Sequence, residues 1–120
     1  MAFEWQGMIT FLGTHDLKET ERFYTQYLCF NLYKDQGKCQ IYTIPGGGKI
    51  GFCSHIEVNA SEKSPIITFV TQEVDAVYKQ LLQTGVKIVH KPQKNPYFPI
   101  YHFFVTDPNG YTVEIQKFLD

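Results

Sequence analysis

Asp107-Pro108-Asn109-Gly110-Tyr111-Thr112-Val113-Glu114-Ile115 reads as a tight turn feeding a strand that carries one carboxylate. Pro108 fixes a φ suited to the first corner of a turn, and Gly110 tolerates a positive φ. Beyond the turn, Val113 and Ile115 point one way while Thr112, Glu114 and Gln116 point the other. Function therefore hinges on Glu114, and on whether it has partners that make it a metal ligand.

The strand before this turn carries bulk on both faces. Tyr101, Phe103 and Val105 share one face, His102 and Phe104 the other. A strand open to water on one side alternates more cleanly. Two coverings account for the second face. One is a sheet curved into a cup with helices outside, whose hollow is a ligand site. The other is a dimer partner.

Further out, one succession of elements occurs twice. Residues 8–14 read as a strand, and Asp16 as a helix N-cap with Glu19 completing a capping box. Leu17, Thr20, Phe23/Tyr24 and Tyr27/Leu28 then repeat at a helical period. Strands follow at residues 30–34, 39–44 and 49–55, with Pro45-Gly46-Gly47-Gly48 as a hairpin turn. That glycine run lacks the long spacing, the following Ser/Thr and the helix of a phosphate loop. After a polar connector at residues 59–64 the series restarts with a strand at 65–71. A helix at 73–84 carries Val74, Val77, Tyr78, Leu81 and Leu82 on one stripe and stops at Gly85. Strands at 86–90, 100–106 and 111–118 close the series, and a loop broken by Pro92, Pro96 and Pro99 presents Tyr97 and Phe98.

Ile9 and Ile66 stand 57 positions apart, and Gly51 and Glu114 stand 63 apart. The repeat lies in element order and apolar phase, with little residue identity. Half a chain of this size does not bury its own sheet, so two modules, residues 7–58 and 64–120, are expected to share the core of one domain spanning 1–120.

Composition narrows the partners. A hydrophobic content of 43% and a charged content of 19% describe an ordinary globule. A formal charge of -1 gives no electrostatic case for nucleic acid or an anionic membrane, so neither is expected as a partner. Ten Phe, eight Tyr and one Trp supply aromatics for a core, a pocket or a subunit interface. Cys29, Cys39 and Cys53 are an odd number at no metal-site spacing, and are expected as reduced thiols packed as small hydrophobes. Cys53 and His55 share a side of their strand and suit a packing pair better than a nucleophile and its base. The opening Met-Ala-Phe-Glu-Trp lacks the pattern of a signal peptide, and no apolar run approaches a membrane span, so a cytoplasmic location is expected.

The doubled βαβββ order, the strand leading to Asp16-Leu17 and then Phe23-Tyr24, the helix end at Gly85-Val86 and the closing DPNGYTVEI together resemble one known group. This is the vicinal oxygen chelate superfamily of glyoxalases, bleomycin- and fosfomycin-resistance proteins and extradiol dioxygenases. The resemblance covers almost the whole chain and rests on order and spacing together. It implies an α+β fold, with two βαβββ modules forming a curved, partly open barrel-like mixed sheet, helices outside, around a cleft. It further implies that the enzymes of the group hold Fe, Mn, Zn or Ni there. The dioxygenases use two His and one Glu, and the glyoxalases up to four His, Glu or Gln positions.

Carried onto this chain, the first His of the family falls on Ile9, seven residues before Asp16. The carboxylate of the fourth strand falls on Gly51, four residues after Gly47, and the His opening the second module on Ile66. Glu114 alone is kept. A register shifted by one reaches Met8, a thioether that hard or borderline divalent ions rarely choose. One carboxylate makes neither a catalytic zinc site nor an iron triad. Of His15, His55, His90 and His102, two would be needed beside Glu114 for a non-standard site. The candidates are His15 at the end of strand one, and His102 if the last hairpin's register allows.

The expectation is a small-molecule-binding protein without metal or cofactor. Ile9, Phe11, Ile66, Thr68 and Glu114 line a mostly apolar cleft, and Tyr97 and Phe98 stack on a flat ligand. Glu114 is the candidate acid, base or hydrogen-bond partner. The alternative is a metal-dependent dioxygenase or glyoxalase-like lyase, using Fe, Mn, Ni or Zn at a displaced site around Glu114. Members of this length commonly pair, so a homodimer is expected.

Overall fold

Asp16 opens the first helix in the computed structural model, which describes residues 2–120. These residues divide into two compact units, Met1–Val58 and Asn59–Asp120. The Asp16 carboxylate accepts the Glu19 backbone N–H at 3.1 Å, which is half of the expected capping box. The reciprocal half is replaced. The Asp16 N–H donates to Thr14 Oγ1 at 3.1 Å, and the Glu19 carboxylate pairs with Arg22 at 3.1 Å.

In the first unit, β1 (Ile9–Gly13) precedes α1 (Leu17–Glu21), which widens into a π-helix over Arg22–Tyr27. The Leu28 N–H reaches the Phe23 carbonyl five residues back at 3.0 Å. Phe23 and Tyr24, neighbours in sequence, are both fully buried. Tyr24 stacks on Phe52 with ring centres 4.8 Å apart and on Tyr42 at 6.0 Å, so the core of this unit is largely aromatic. Burial, and after it the charges of Glu21 and Asp35, pushes the Tyr42 hydroxyl far above its ordinary range. It stays neutral and donates to Gln40 Oε1 at 2.9 Å.

The sheet of this unit is open and mixed, in the order β1, β4 (Lys49–Cys53), β3 (Cys39–Thr43), β2 (Asn31–Asp35). β1 runs parallel to β4, and β3 antiparallel to both of its neighbours. The Gly46-Gly47-Gly48 segment, with φ of +96°, +127° and +100°, closes the hairpin between β3 and β4. Cys39 and Cys53 lie directly opposite each other, with Cα atoms 4.1 Å apart, and form a disulfide. This corrects the expectation of three reduced thiols. Strand register, which an odd count of cysteines does not reveal, puts two of them side by side. Cys29 remains a free, exposed thiol.

The second unit repeats the plan, with sheet order β5 (Ile67–Val70), β9 (Thr112–Phe118), β8 (Ile100–Thr106), β6 (Lys87–Ile88). β5 runs parallel to β9, and β8 pairs antiparallel with β9 along its whole length. β6 is shorter than the strand expected at 86–90. A two-residue strand that no periodicity announced, β7 (Gln93–Lys94), pairs beside it on β8. Pro92 has no N–H to give the ladder, so the edge pairing is broken between them. α2 (Val74–Leu82) buries Val74 and Leu81, and Tyr78 meets Phe103 edge-on at 5.4 Å. Gly85 has the left-handed φ of +80° expected after the helix.

The turn between β8 and β9 forms as its residues dictate. Asp107 Oδ1 accepts the N–H groups of Asn109 at 2.9 Å and Tyr111 at 2.8 Å, and Gly110 adopts φ +95°. The turn fixes the register Thr106↔Thr112, and every later pair follows from it. Phe103, Val105, Val113 and Ile115 thus fall on one face and are buried. His102, Phe104, Glu114 and Gln116 fall on the other. The protein is an α+β fold of two mixed sheets, each with its helix. Among the described residues no helix is long and apolar enough to cross a membrane.

Candidate functional site

Glu114 sits on β9, the strand flanked by β5 and β8, and both neighbours supply it with donors. Thr68 is its direct partner across the parallel pair, and Thr68 Oγ1 donates to Glu114 Oε1 at 2.8 Å. Gln116 Nε2, two residues along the same face, donates to the same oxygen at 2.8 Å. His102, opposite Gln116 on β8, holds Glu114 Oε2 with Nδ1 at 2.6 Å. Glu114 is 7% exposed and His102 4%, so one nearly dry carboxyl group collects three donors, of which Thr68 alone reaches solvent.

The network also sets the imidazole's tautomer. Asn95 Oδ1 accepts the N–H groups of Tyr97 at 2.8 Å and Phe98 at 3.1 Å, which orients the Asn95 amide. Its Nδ2 then faces His102 Nε2 at 3.4 Å. An amide N–H needs an acceptor, so Nε2 is unprotonated and Nδ1 carries the proton given to Glu114. The His90 ring, its Nδ1 at 2.8 Å from the Lys91 carbonyl, stands edge-on to His102 with centres 5.7 Å apart.

These groups floor a cavity of about 520 Å3 within the second unit, a size that suits a small organic molecule. Ile66, Phe98, Phe104 and Phe118 wall it, while Asn95, His102, Glu114 and Gln116 give it polar contacts. Of the residues singled out in the sequence, Ile66, Thr68, Phe98 and Glu114 gather here. Tyr97 is 85% exposed and points off the wall. Asn95, Phe104 and Gln116 were not named as site residues. Two signals for them existed in the chain: the alternation that puts Phe104 and Gln116 on Glu114's face, and an Asn two residues before Tyr97, a habitual turn former.

Ile9 and Phe11 stand on β1 in the first unit, both part exposed. Phe11 pairs directly with Gly51, and its ring lies where a side chain at that position would begin. A Cβ built on Gly51 would meet Phe11 Cε1 at 2.5 Å. His15 also belongs to the first unit, beyond the end of β1.

The residues at the family's ligand positions do not fit its metal. Ile9 and Ile66 offer no donor atom, Gly51 has no side chain, and Phe11 covers it. Among the described residues, no third Asp, Glu, His or Cys joins Glu114 and His102 within 4.8 Å.

The family model for the glyoxalase/bleomycin resistance protein/dioxygenase superfamily matches residues 7–115. No curated protein matches the chain. Solved structures do. A glyoxalase/bleomycin resistance protein/dioxygenase from Alicyclobacillus acidocaldarius aligns at TM-score 0.77 with 17% identity, over 96% of this chain and 92% of its own. TioX from Micromonospora sp. ML1 aligns at 0.78 with 17% identity, over 96% and 100%. A virulence protein from Salmonella typhimurium aligns at 0.71 with 25% identity, over 98% and 99%. With element order, strand pairing and a match over both units in agreement, the chain belongs to the glyoxalase/bleomycin resistance protein/dioxygenase superfamily.

Proposed function

We propose that this protein binds a small, planar, mostly apolar molecule in the cavity of its second unit, without a metal. The observation that carries this is the Glu114 network beneath apolar walls. A ligand there meets Phe98, Phe104 and Ile66 on its faces and the Asn95 and Gln116 amides at its polar end. Every oxygen of Glu114 already accepts a hydrogen bond, so its main task is to hold His102, Thr68 and Gln116 in place. It acts as a base only after a donor is displaced. A second reading, a dioxygenase or glyoxalase-like lyase centred on Glu114, has in its favour the imidazole 2.6 Å from that carboxylate.

A panel of planar aromatic amines and carboxylates, screened by thermal shift with and without EDTA, separates the two readings. A true ligand at about a hundred times its Kd adds about 2.7 kcal/mol of stability. It is expected to act equally in both buffers and to move the side-chain amide signals of Asn95 and Gln116. Ile66→Arg, at an exposed wall position, is expected to weaken that ligand at least about tenfold by closing the mouth. Binding or turnover that appears only with added Fe, Mn, Ni or Zn would favour the enzyme.

We also propose a homodimer. Trp5 is 84% exposed and Tyr97 85%, and Met8, Tyr33, Phe98 and Val89 add apolar surface of the kind that subunit contacts cover. Light scattering on a sizing column is expected to give twice the 13.9 kDa of the chain, and a monomer at micromolar concentration would count against pairing. We further propose a cytoplasmic location, with neither nucleic acid nor membrane as partner; the charge of -1 supports only the second part. Recovery from an envelope or secreted fraction would contradict it.

A further inference from the structure

The register that makes the Cys39–Cys53 disulfide also brings a third donor to it. β3 and β4 set the two cysteines opposite each other, and His55 lies two residues beyond Cys53. His55 Nδ1 stands 3.9 Å from Cys39 Sγ, and one atom from each of the three residues falls within 4.8 Å of the others. Tetrahedral zinc with sulfur at about 2.3 Å and nitrogen at about 2.05 Å needs donors roughly 3.5 to 3.8 Å apart. The sulfur-to-nitrogen spacing is already close to that. Opening the disulfide lets the two sulfurs separate to the remaining distance by side-chain rotation alone, because the strands hold the Cα atoms. Cys39 is half-buried and His55 exposed, so an ion enters from solvent and water completes the fourth position.

We infer that Cys39, Cys53 and His55 form a redox-gated zinc site, closed in the disulfide form and open in the dithiol form. Two thiolates and one imidazole are a donor set suited to zinc, and a bonded disulfide offers neither thiolate. Zinc leaves when a small-molecule disulfide is the oxidant. The two protein thiolates lose two electrons and form the Cys39–Cys53 bond. The sulfur–sulfur bond of the small molecule breaks, and it departs as two thiolates. No proton is required, and the zinc returns to water. This site is separate in sequence and in unit from the Glu114 cavity.

The full chain, reduced with a phosphine and titrated with zinc against a chromophoric chelator, tests this. One ion per chain is expected, and treatment with glutathione disulfide is expected to release it. Cys39→Ser with Cys53→Ser, and separately His55→Gln, should weaken uptake at least about tenfold. Cys29→Ser, which removes the free exposed thiol outside the site, should leave uptake unchanged. Cobalt provides a readout that misfolding does not imitate: thiolate-to-cobalt absorption should appear in the reduced protein and in His55→Gln, more weakly. It should be absent from the double serine variant, whose circular dichroism reports its fold. The inference is overturned if the reduced protein takes up no zinc, if the disulfide form or the double variant binds equally well, or if Cys29→Ser abolishes uptake.

Discussion

Glu114→Ala is expected to cost about 2–4 kcal/mol of stability, because it leaves the buried His102 and Gln116 donors without their acceptor, at about 1–3 kcal/mol each. Thr68, Gln116 and His102 would each lose an acceptor, in a region where water reaches little of Glu114 or His102. Glu114→Gln is the more informative change, since it keeps the volume. Its carbonyl oxygen can still accept from Thr68 and Gln116, but its amide then presents N–H to the Nδ1–H of His102. The imidazole can answer by moving its proton to Nε2, which then faces the Asn95 amide donor. Asn95 cannot turn over without dropping the Tyr97 and Phe98 N–H groups. The conflict is passed along the network and remains unresolved, so Glu114→Gln should cost about 1–3 kcal/mol. Urea denaturation measures both losses, and nitrogen-15 spectra of the His102 ring report the tautomer. A Glu114→Gln protein within about 0.5 kcal/mol of the parent would mean that the network is slack.

Gly51→Ala is expected to cost about 1–3 kcal/mol, although it adds only a methyl group to a strand. That methyl would start inside the Phe11 ring, 2.5 Å from Cε1 and 2.6 Å from Cδ1, with Ile41 Cγ1 behind it at 3.5 Å. The ring must leave its place across the β1–β4 pair. Gly51→Glu, which puts a carboxylate where the family resemblance implies one, should cost at least as much. Phe11→Ala alone should be mild, since the ring is 44% exposed. Combined with Gly51→Ala it should recover most of the loss, with a coupling of about 1–3 kcal/mol in a double-mutant cycle. Simple additivity of the two changes would show that the ring moves aside without cost. Glycine at this position is matched to its aromatic neighbour, which is the physical form taken by the missing ligand.

Parts of this molecule are legible in the order of residues alone. The DPNG turn is one of them, although the condition that His102 share a face with Glu114 was met only by the β8–β9 register seen in the structure. The Asp16 cap, the stripe of α2 and the stop at Gly85 are equally local. They depend on residues within a turn or two of one another, and the sequence lays those side by side. The absence of donors at Ile9, Gly51 and Ile66 is read the same way, by position.

Other features come only from contacts between distant segments. The parallel pairing of β5 with β9 gives Glu114 its Thr68 partner across 46 residues, and no local pattern specifies that register. The Asn95 amide reaches His102 only because the proline-rich loop folds back on β8 through β7. Cys39 and Cys53 look unrelated until β3 and β4 align. Amino-acid order determined the longer strands, the helices and which of their side chains face together, since backbone geometry imposes those periods over a few residues, whereas the two-residue β7 escaped it. Tertiary structure decided which strands meet and in what register. Hydrogen bonds between backbones carry no side-chain identity, so only the packing of the whole unit selects among the pairings they allow.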